Sequence, residues 1–467
     1  MNWELLANGA AAGWSPSHLR GILGVAVLLA IAWAASTNRR AIKWRPVAYG
    51  LGLQVVFAMA ILWTAPGRAV FDGARDVVVR LLGFTHEGAQ FLFGEFYVSD
   101  GYLYPILAEN LSEQGSPAEG SIAVQRFVDA NKDGVPDLDP ATGKPQLGPP
   151  RALGTILAFH VLPTILFFSA LMSLLYHLGI IQKVVQAFAW LMTRTLKTSG
   201  AESLSAAANI FVGQTEAPLV VKPFVKTMTR SELNAVMVGG FATIAGGVMA
   251  LYVVFVGPAY AGHLIAASVM AAPVGLAVAK ILVPEDGTPE TAGQVRITVE
   301  RTTTNVIDAI ASGTLDGLKL AVNVGAMLLV FIAMIALLDA ILGATLGTSL
   351  GQIFGFALAP LAWCMGVPWS ECRTFGDLLG TKIAINELVA YVKLSQLPQG
   401  ELSHHARVIA TYALCGFANF ASIGIQIGGI GGLAPERRAD LAKLGLRAML
   451  GGAIATCITA AVAGVLS

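Results

Sequence analysis

Hydrophobic segments recur along almost the whole chain, and many are long enough to cross a lipid bilayer. A membrane-spanning helix needs about 20 consecutive apolar residues. Segments of this kind lie near residues 21–36, 47–65, 153–179, 233–257, 259–283, 318–346, 407–430 and 445–466. The stretch 350–368 is either a short span or an interfacial helix. A polar segment at about 66–151 interrupts the series, which predicts one membrane domain with one excursion into water.

Two further apolar runs are too short to cross the membrane as continuous helices. They lie near residues 204–221 and 381–396, are interrupted by proline or glycine, and each carries a glutamate. Non-helical backbone at membrane depth is tolerated only where it lines a cavity or is buried in protein. We therefore expect two re-entrant hairpins, hairpin 1 at about 200–228 and hairpin 2 at about 370–400.

The two hairpin regions repeat one sequence pattern, a glutamate, a lysine six positions later and then a Gly-Phe-Ala motif ending in a polar residue. The matching segments are Glu216–Lys222 with Gly240–Thr243, and Glu387–Lys393 with Gly416–Asn419. A repeated pair of interrupted hydrophobic segments is typical of secondary transporters, which bind substrate near the membrane midplane. The repeat therefore predicts a transporter.

The composition agrees with a membrane protein. Hydrophobic residues make up 55% of the chain and charged residues 13%, against about 25% charged in soluble domains, and the mean hydropathy is +0.67. The net charge of +1 argues against a nucleic-acid partner. Four basic residues crowd the first loop, Arg39, Arg40, Lys43 and Arg45. By the positive-inside rule this loop is cytoplasmic, which places the N-terminus and the excursion outside.

The excursion contains one motif that resembles the start of a calcium loop. Oxygen-bearing side chains alternate along it at Asp129, Asn131, Asp133, Asp137 and Asp139. Glycine stands at the sixth place, as in an EF-hand, but the twelfth place holds Pro140 instead of the bidentate glutamate. An ordinary Asx-rich surface turn is the favoured interpretation, with calcium binding by Asp129, Asn131, Asp133 and Asp137 as the alternative.

Hairpin 1 carries three successive polar side chains, Gln214, Thr215 and Glu216. A charged side chain at the bilayer centre costs about 2.5–3.5 kcal/mol, so such residues usually face a cavity and serve a function. An amide beside a carboxylate offers donors and acceptors that suit the edge of a heterocyclic base. The alternative is a packing ion pair between Glu216 and Lys222.

The second copy offers groups that suit a sugar. Asn386 and Glu387 bring an amide and a carboxylate to a short apolar run. A carboxylate accepts hydrogen bonds from vicinal hydroxyls, although Glu387 alone equally suits a proton relay. Asn419 and Ser422 are three residues apart and share a helix face, with an interhelical hydrogen bond as the alternative role of Asn419. Phe417 lies on another face unless the helix unwinds there.

These segments together resemble the signature sequences of the concentrative nucleoside transporter family. The resemblance rests on Gly213–Pro218, Asn386–Glu387 and Gly416–Asn419, and also on Val161–Ser169 and Ala359–Trp363. The motifs match in order, and the similarity runs from about residue 20 to the end of the chain, apart from roughly residues 97–150.

The resemblance implies an all-α integral membrane protein in a bacterial inner membrane. It implies eight transmembrane helices with two re-entrant hairpins in an inverted repeat, interfacial helices, and an elevator-type movement. The implied homotrimer has a scaffold that includes the helices near 153–179 and 318–346. Residues 1–96 would form N-terminal helices and an interfacial helix, residues 97–150 an extracytoplasmic insertion, and residues 151–467 the transporter core.

The resemblance also implies the residues of the site. Those expected at the nucleobase are Gln214, Thr215 and Glu216, with Val248 and Phe417 packed against it. Those expected at the ribose hydroxyls are Glu387, Asn419 and Ser422. A sodium ion would be bound by the side chains of Asn209 and Thr243 and the carbonyls of Val212 and Ile244. Sodium-coupled relatives tend to carry serine at the Thr243 position, and threonine keeps the hydroxyl.

The implied function is sodium-driven import of nucleosides, uridine and cytidine with adenosine as a further candidate. A proton-coupled symporter and a passive channel are the alternatives. An intramembrane enzyme is disfavoured because the sequence has no His-Glu-x-x-His motif. Residues Gly347–Gly351 match the nucleophile-elbow pattern but follow a membrane span instead of a strand. The expected partners are the nucleoside, the lipid bilayer and two further copies of the chain, and the co-transported ion is sodium.

Overall fold

The computed structural model describes residues 16–93, 123–124, 151–152, 162–293, 303–398 and 400–466. The candidate calcium loop at 129–137 lies outside the described residues, as does most of the predicted insertion. The helices of the N-terminal part are α1 (Pro16–Ala34), α2 (Trp44–Trp63), α3 (Ala65–Phe93), α4 (Leu162–His177) and α5 (Ile180–Leu196). A two-residue antiparallel ladder joins β1 (Ala123–Val124) to β2 (Arg151–Ala152).

The remaining described elements are also helical, which confirms the prediction of an all-α protein. In the middle of the chain they are α6 (Gly200–Ala208), α7 (Lys222–Val225), α8 (Arg230–Ala242), α9 (Gly246–Val256), α10 (Ala261–Leu282) and α11 (Val306–Leu346). They continue as α12 (Leu350–Cys364), α13 (Cys372–Ala384), α14 (Glu387–Gln396), α15 (His404–Leu414), α16 (Phe420–Leu433) and α17 (Arg438–Leu466). Residues Arg80–Thr164 form one compact unit, and the rest of the chain forms another.

Among the described residues, five helical segments are long and apolar enough to cross a membrane. They are Trp44–Trp63, Arg230–Val256, Pro258–Leu282, Val306–Leu346 and Pro435–Leu466. Helix α4 joins α5 at an angle of 74°, and this bent pair together passes the same test. The predicted span near 21–36 corresponds to an apolar helix shorter than these. The total of eight transmembrane helices therefore stays a prediction.

Two spans predicted as continuous helices, 233–257 and 407–430, are broken in the middle. Helix α8 ends before residues 243–245 and α15 before residues 415–419. At the first break, Thr243 Oγ1 donates to the Gly239 carbonyl 2.9 Å away. At the second, Asn419 Oδ1 accepts from the Ser422 backbone N–H at 2.8 Å and so begins α16. Short polar side chains compete with the helical backbone for hydrogen bonds in this way. The apolar pattern alone does not predict the resulting helix breaks.

Both predicted hairpins correspond to pairs of short helical segments. In the first, α6 is followed by a turn, a 3₁₀ segment at Ala217–Val221 and α7. A capping box between Ser199 and Glu202 begins α6, which satisfies otherwise unpaired backbone donors. In the second, α13 and α14 are separated by two residues. Short helical segments lie at both predicted positions, and the hairpin bounds and their re-entry into the membrane stay predictions.

Helix α10 forms much of the interior and packs against α2, α8 and α17. Helix α11, in contrast, is exposed along most of its 41 residues. Its buried residues follow one stripe, Ala309, Gly313, Gly317, Ala321 and Leu328. A Cβ atom on Gly313 would lie 2.6 Å from the Ser173 Cβ of α4. The glycine thus allows the two helices to approach closely, as small residues do between membrane helices.

Candidate functional site

The carboxylate of Glu387 is buried and held by two donors from other helices. Tyr252 on α9 donates its hydroxyl to Glu387 Oε1 at 2.8 Å, and Asn419 donates its amide to Oε2 at 3.0 Å. Glu387 is the first residue of α14, after the N-cap Asn386, whose Oδ1 accepts from Val389 N. A buried charge needs such donors, and a helix N-terminus favours a negative charge. The carboxylate is therefore preorganised as a hydrogen-bond acceptor.

Asn419 links this carboxylate to the start of α16. Because its Oδ1 caps the helix by accepting from Ser422 N, its amide nitrogen must point toward Glu387. The Ser422 hydroxyl lies one turn further along the same helix and is buried. The structure thus brings together Glu387, Asn419 and Ser422, the three residues predicted at the sugar.

Gln214 connects the turn of hairpin 1 to the same helix. Its Nε2 donates to Ser422 Oγ at 3.2 Å, and its Oε1 accepts from Gln426 Nε2 at 3.0 Å. Gln214 is buried, with 6% of its surface exposed. One predicted base-binding residue therefore meets one predicted ribose-binding residue, although 208 positions separate them in sequence.

Thr215 and Glu216 lie at the surface of the hairpin 1 turn. Thr215 is half-buried and donates its hydroxyl to Glu216 Oε1 at 3.0 Å, while Glu216 is exposed. A Cβ atom on Gly213 would overlap the Glu216 carboxylate, which folds back over its own turn. No ion pair joins Glu216 to the exposed Lys222 among the described residues. Glu216 is thus set apart from the hydrogen-bonded group around Glu387.

The two predicted apolar contacts flank the helix breaks. Val248 is buried in the first turn of α9, and Phe417 is half-buried between α15 and α16. The preceding Gly416 lies directly against neighbouring helices. A Cβ there would be 2.7 Å from Thr456 Cγ2 and 2.9 Å from the Phe241 carbonyl oxygen. Only glycine fits that approach without displacement, which explains why the Gly-Phe motif marks the break.

Two predicted cation-binding side chains border the same glycine. Thr243 donates to the Gly239 carbonyl, and a Cβ on Gly239 would lie 3.2 Å from Asn209 Nδ2. Asn209 is fully buried, and its Nδ2 donates to the Ser205 carbonyl. Its Oδ1 has no hydrogen-bond partner among the described residues. A buried acceptor without a donor is what a bound cation would satisfy.

The backbone carbonyls predicted for the cation lie in the two segments beside these side chains. Val212 follows the last turn of α6, and Ile244 is buried in the break after α8. The two segments are joined by a hydrogen bond from Gly246 N to the Phe211 carbonyl at 2.9 Å. An all-oxygen set suits a hard cation, and unwound helix segments coordinate sodium in transporters. The donor set fits the predicted ion.

Sequence reasoning missed two polar side chains of this group. Gln426 is fully buried and lies seven residues after Asn419, so residues 419, 422 and 426 share one face of α16. Tyr252 follows Val248 by four residues and lies on the same face of α9. The helical spacing was a usable signal for both, but it does not identify their partners across the fold.

Two buried lysines were also missed. Lys382 on α13 donates to the Ala413 carbonyl at 2.7 Å and to Thr456 Oγ1 at 2.8 Å, near the end of α15. Cations are favourable beside the C-terminal carbonyls of a helix. Lys280 on α10 forms ion pairs with Glu202 of α6 and with Glu285. These contacts anchor the base of hairpin 1 and the break after α15.

Comparison with known proteins places these elements in context. Residues 23–96 match the sequence profile described as Na+ dependent nucleoside transporter N-terminus, and residues 263–464 match the corresponding C-terminus. Residues 158–259 match the profile described as Nucleoside recognition. The three profiles together cover most of the chain.

Similar proteins include an uncharacterized transporter from Haemophilus influenzae, 41% identical, with 96% of this chain and 97% of the relative aligned. Sodium/nucleoside cotransporter 1 from Mus musculus is 37% identical over 97% of this chain. The chain spans 64% of the length of that mouse protein. Among solved structures, CNTnw in an inward-facing substrate-bound state is 39% identical with a TM-score of 0.80, covering 96% of this chain and 98% of its own.

Proposed function

This chain belongs to the Na+-dependent, or concentrative, nucleoside transporter family, and from that membership we propose that it is a symporter that moves nucleosides together with sodium. The observation that carries the proposal is the buried hydrogen-bonded group of Gln214, Ser422, Asn419 and Glu387. It joins the turn of hairpin 1 to α14 and α16 through polar side chains placed at the helix breaks. Such a placement is typical of substrate sites in secondary transporters.

The ribose end of the substrate would be bound at Glu387. Its carboxylate accepts hydrogen bonds well, so vicinal hydroxyls are suitable donors. Asn419 and Ser422 offer an amide and a hydroxyl beside it. A proton-relay role for Glu387 is the alternative, and uptake measured with a sodium gradient at fixed pH distinguishes the two roles.

The base would be bound at the turn of hairpin 1. Gln214 offers an amide, and Thr215 and Glu216 follow it at the surface of the turn. Val248 and Phe417 would pack on the faces of the base. In this proposal Glu216 turns from the surface toward the substrate, and movement of the hairpin accompanies binding.

Sodium would be bound between the end of α6 and the break after α8, by Asn209, Thr243 and the carbonyls of Val212 and Ile244. The unpaired Asn209 Oδ1 supports this assignment. Ion binding there would order the adjacent turn, which carries Gln214, and so raise the affinity for nucleoside. By linkage the nucleoside then raises the affinity for sodium to the same degree.

We expect uridine uptake into proteoliposomes to require an inward sodium gradient at a fixed pH. Uptake should exceed the equilibrium level as long as the gradient persists, because symport couples the two flows. Removing sodium should lower the initial rate at subsaturating uridine at least about fivefold, the lower end of the change in affinity expected for coupled sites. Equal uptake driven by a proton gradient in sodium-free buffer would support the proton-coupled alternative. Uptake that stops at equilibrium would indicate a passive channel.

We also expect Tyr252→Phe to weaken nucleoside binding. The substitution removes the hydroxyl that donates to Glu387 Oε1, and a buried acceptor left without a donor costs about 1–3 kcal/mol. The KM for uridine should rise at least about fivefold, the factor that corresponds to about 1 kcal/mol. Tyr391→Phe is the matched control, because its ring stacks on Tyr252 at 4.6 Å while its hydroxyl bonds the Thr411 carbonyl. Equal KM values for both variants would contradict a role for the Tyr252 hydroxyl.

The assembly and orientation follow from family membership as further proposals. We infer a multi-pass protein of a bacterial inner membrane with its N-terminus outside, a homotrimer that works by an elevator-type movement. The largely apolar and exposed α11 supports a scaffold role, since it offers a long face to lipid or to other copies. Its 41 residues extend about 60 Å, twice the hydrocarbon thickness of a bilayer.

A further inference from the structure

Gln426 holds a position between the two halves of the site. It lies on α16 and is fully buried, and its Nε2 donates to two acceptors. One is the Met237 carbonyl on α8 at 3.1 Å, and the other is Gln214 Oε1 at 3.0 Å. The side chain therefore bridges α8 and the turn of hairpin 1.

The Met237 carbonyl determines the orientation of both amides. A backbone carbonyl can only accept, so the amide nitrogen of Gln426 must face it. The second hydrogen of that nitrogen then requires an acceptor, which is Gln214 Oε1. Rotating the Gln214 amide by half a turn would place two amide nitrogens against each other. The nitrogen of Gln214 consequently points toward Ser422 Oγ.

The two amides lie close to the backbone of α8 at Gly240. A Cβ on Gly240 of α8 would lie 2.8 Å from Gln426 Nε2 and 2.9 Å from Gln214 Cβ. The absence of a side chain at this glycine lets the two amides lie against α8. Gln426 Oε1 has no hydrogen-bond partner among the described residues. Burying an unpaired acceptor is unfavourable, so this amide contributes orientation more than stability.

We propose that Gln426 is a positioning residue that sets base selectivity by holding Gln214 as a hydrogen-bond donor. Of the two hydrogens on Gln214 Nε2, one is directed to Ser422, and the other is left for the substrate. The hairpin then selects a nucleoside whose base presents a carbonyl or ring-nitrogen acceptor at that point. This inference rests on the proposed function and adds to it the kind of base edge that the site prefers.

Uridine and cytidine provide the test, because their bases carry exchanged donors and acceptors at positions 3 and 4. A fixed donor from Gln214 that meets this edge discriminates between them, because the acceptor is at position 4 in uridine and at position 3 in cytidine. In Gln426→Met the constraint is lost, and the Gln214 amide can present either its nitrogen or its oxygen. We expect the ratio of Vmax/KM for the two nucleosides to move toward one by at least about fivefold. This is a modest part of the discrimination that a site with a fixed hydrogen-bond donor can provide.

Three controls separate a change in base selectivity from a general loss of transport. The ratio for uridine against 2′-deoxyuridine should stay unchanged, because it reports on the Glu387 end. Gln54→Met is the matched variant. Gln54 is also fully buried, donates to Thr459 Oγ1 at 2.8 Å and has an unpaired Oε1, but lies on α2 outside the site. It should leave both ratios unchanged. In a Gln214→Met background, Gln426→Met should change neither ratio further.

The outcomes can be distinguished. If the wild-type protein shows no sodium-dependent nucleoside uptake, the proposed function fails. If it transports but does not discriminate uridine from cytidine, or if Gln426→Met shifts their ratio by less than about twofold, the Gln426 inference alone is wrong. Equal shifts in both nucleoside ratios would also overturn it. Should Gln426→Met not fold, Gln426→Asn is expected to lose selectivity in the same way, because its shorter amide cannot reach both partners.

Discussion

Replacing Glu387 by glutamine should lower Vmax/KM for uridine at least about a hundredfold. The carboxylate accepts from Tyr252 and from Asn419, and the Asn419 amide cannot turn because its oxygen caps α16. Glutamine keeps one oxygen, so its amide nitrogen must face one of these donors. Hydrogen bonds to a charged group contribute about 1.5–3 kcal/mol each. The loss of one of these bonds, together with the loss of a charged acceptor for a ribose hydroxyl, gives the expected factor.

The measurement is uptake of uridine and 2′-deoxyuridine into proteoliposomes, with inserted protein quantified separately. Residual uptake in Glu387→Gln should lose discrimination between the two sugars. Glu216→Gln is the comparison, since we expect it to alter base preference instead, and Asn419→Ala should abolish uptake with the protein still inserted. Wild-type discrimination of 2′-deoxyuridine in Glu387→Gln would show that the carboxylate does not bind the ribose.

Replacing Lys280 by methionine should destabilise the protein by about 3–5 kcal/mol, the usual effect of removing one partner from a buried ion pair. Lys280 is buried and pairs with Glu202, of which 1% is exposed, and with Glu285 at 3.1 Å. It also donates to Ser231 Oγ at 2.9 Å. Removing the ammonium group leaves the carboxylates of Glu202 and Glu285 without their shared cation in a poorly hydrated site at the base of hairpin 1.

Thermal unfolding in detergent checks this expectation. Lys319→Met is the matched control, because Lys319 pairs with Asp316 at 3.8 Å with both side chains exposed, and such pairs contribute about 0–1 kcal/mol. Adding Glu202→Gln to Lys280→Met should recover part of the lost stability, since one unpaired charge disappears. A Lys280→Met protein that unfolds at the wild-type temperature would show that these carboxylates do not depend on the lysine.

The sequence was sufficient for the family and the all-α architecture. These predictions are confirmed for the family and the fold class. The apolar segments and the motifs around Gly213 and Gly416 are local features, and helical hydrogen bonds form between residues four apart. A pattern of hydrophobic positions therefore specifies helices without knowledge of the rest of the fold. The grouping of Glu387, Asn419 and Ser422 followed from motif resemblance, and the structure does bring them together.

The breaks in two predicted spans were not determined by hydrophobicity. Residues 233–257 and 407–430 are predominantly apolar, yet each segment is divided at a short polar side chain. Thr243 and Asn419 satisfy backbone groups locally, which allows the helix to stop and restart in a protein interior. The repeated motif showed where these two polar residues lie in the sequence. Whether they break the helix depends on neighbouring helices that cover the opened turn.

Tertiary structure alone decided which polar groups meet. Tyr252 reaches Glu387 across 135 positions and Gln426 reaches Gln214 across 212. No local spacing encodes such pairs, because they depend on how separate helices pack. Lys280 and Lys382 are ordinary charges in the sequence and become buried partners only in the fold. The chain by itself therefore determined which segments are helical and which residues are candidates for binding. Packing decided which of those residues are held by a partner and in which orientation, since a buried polar group takes its direction from the partner that satisfies it.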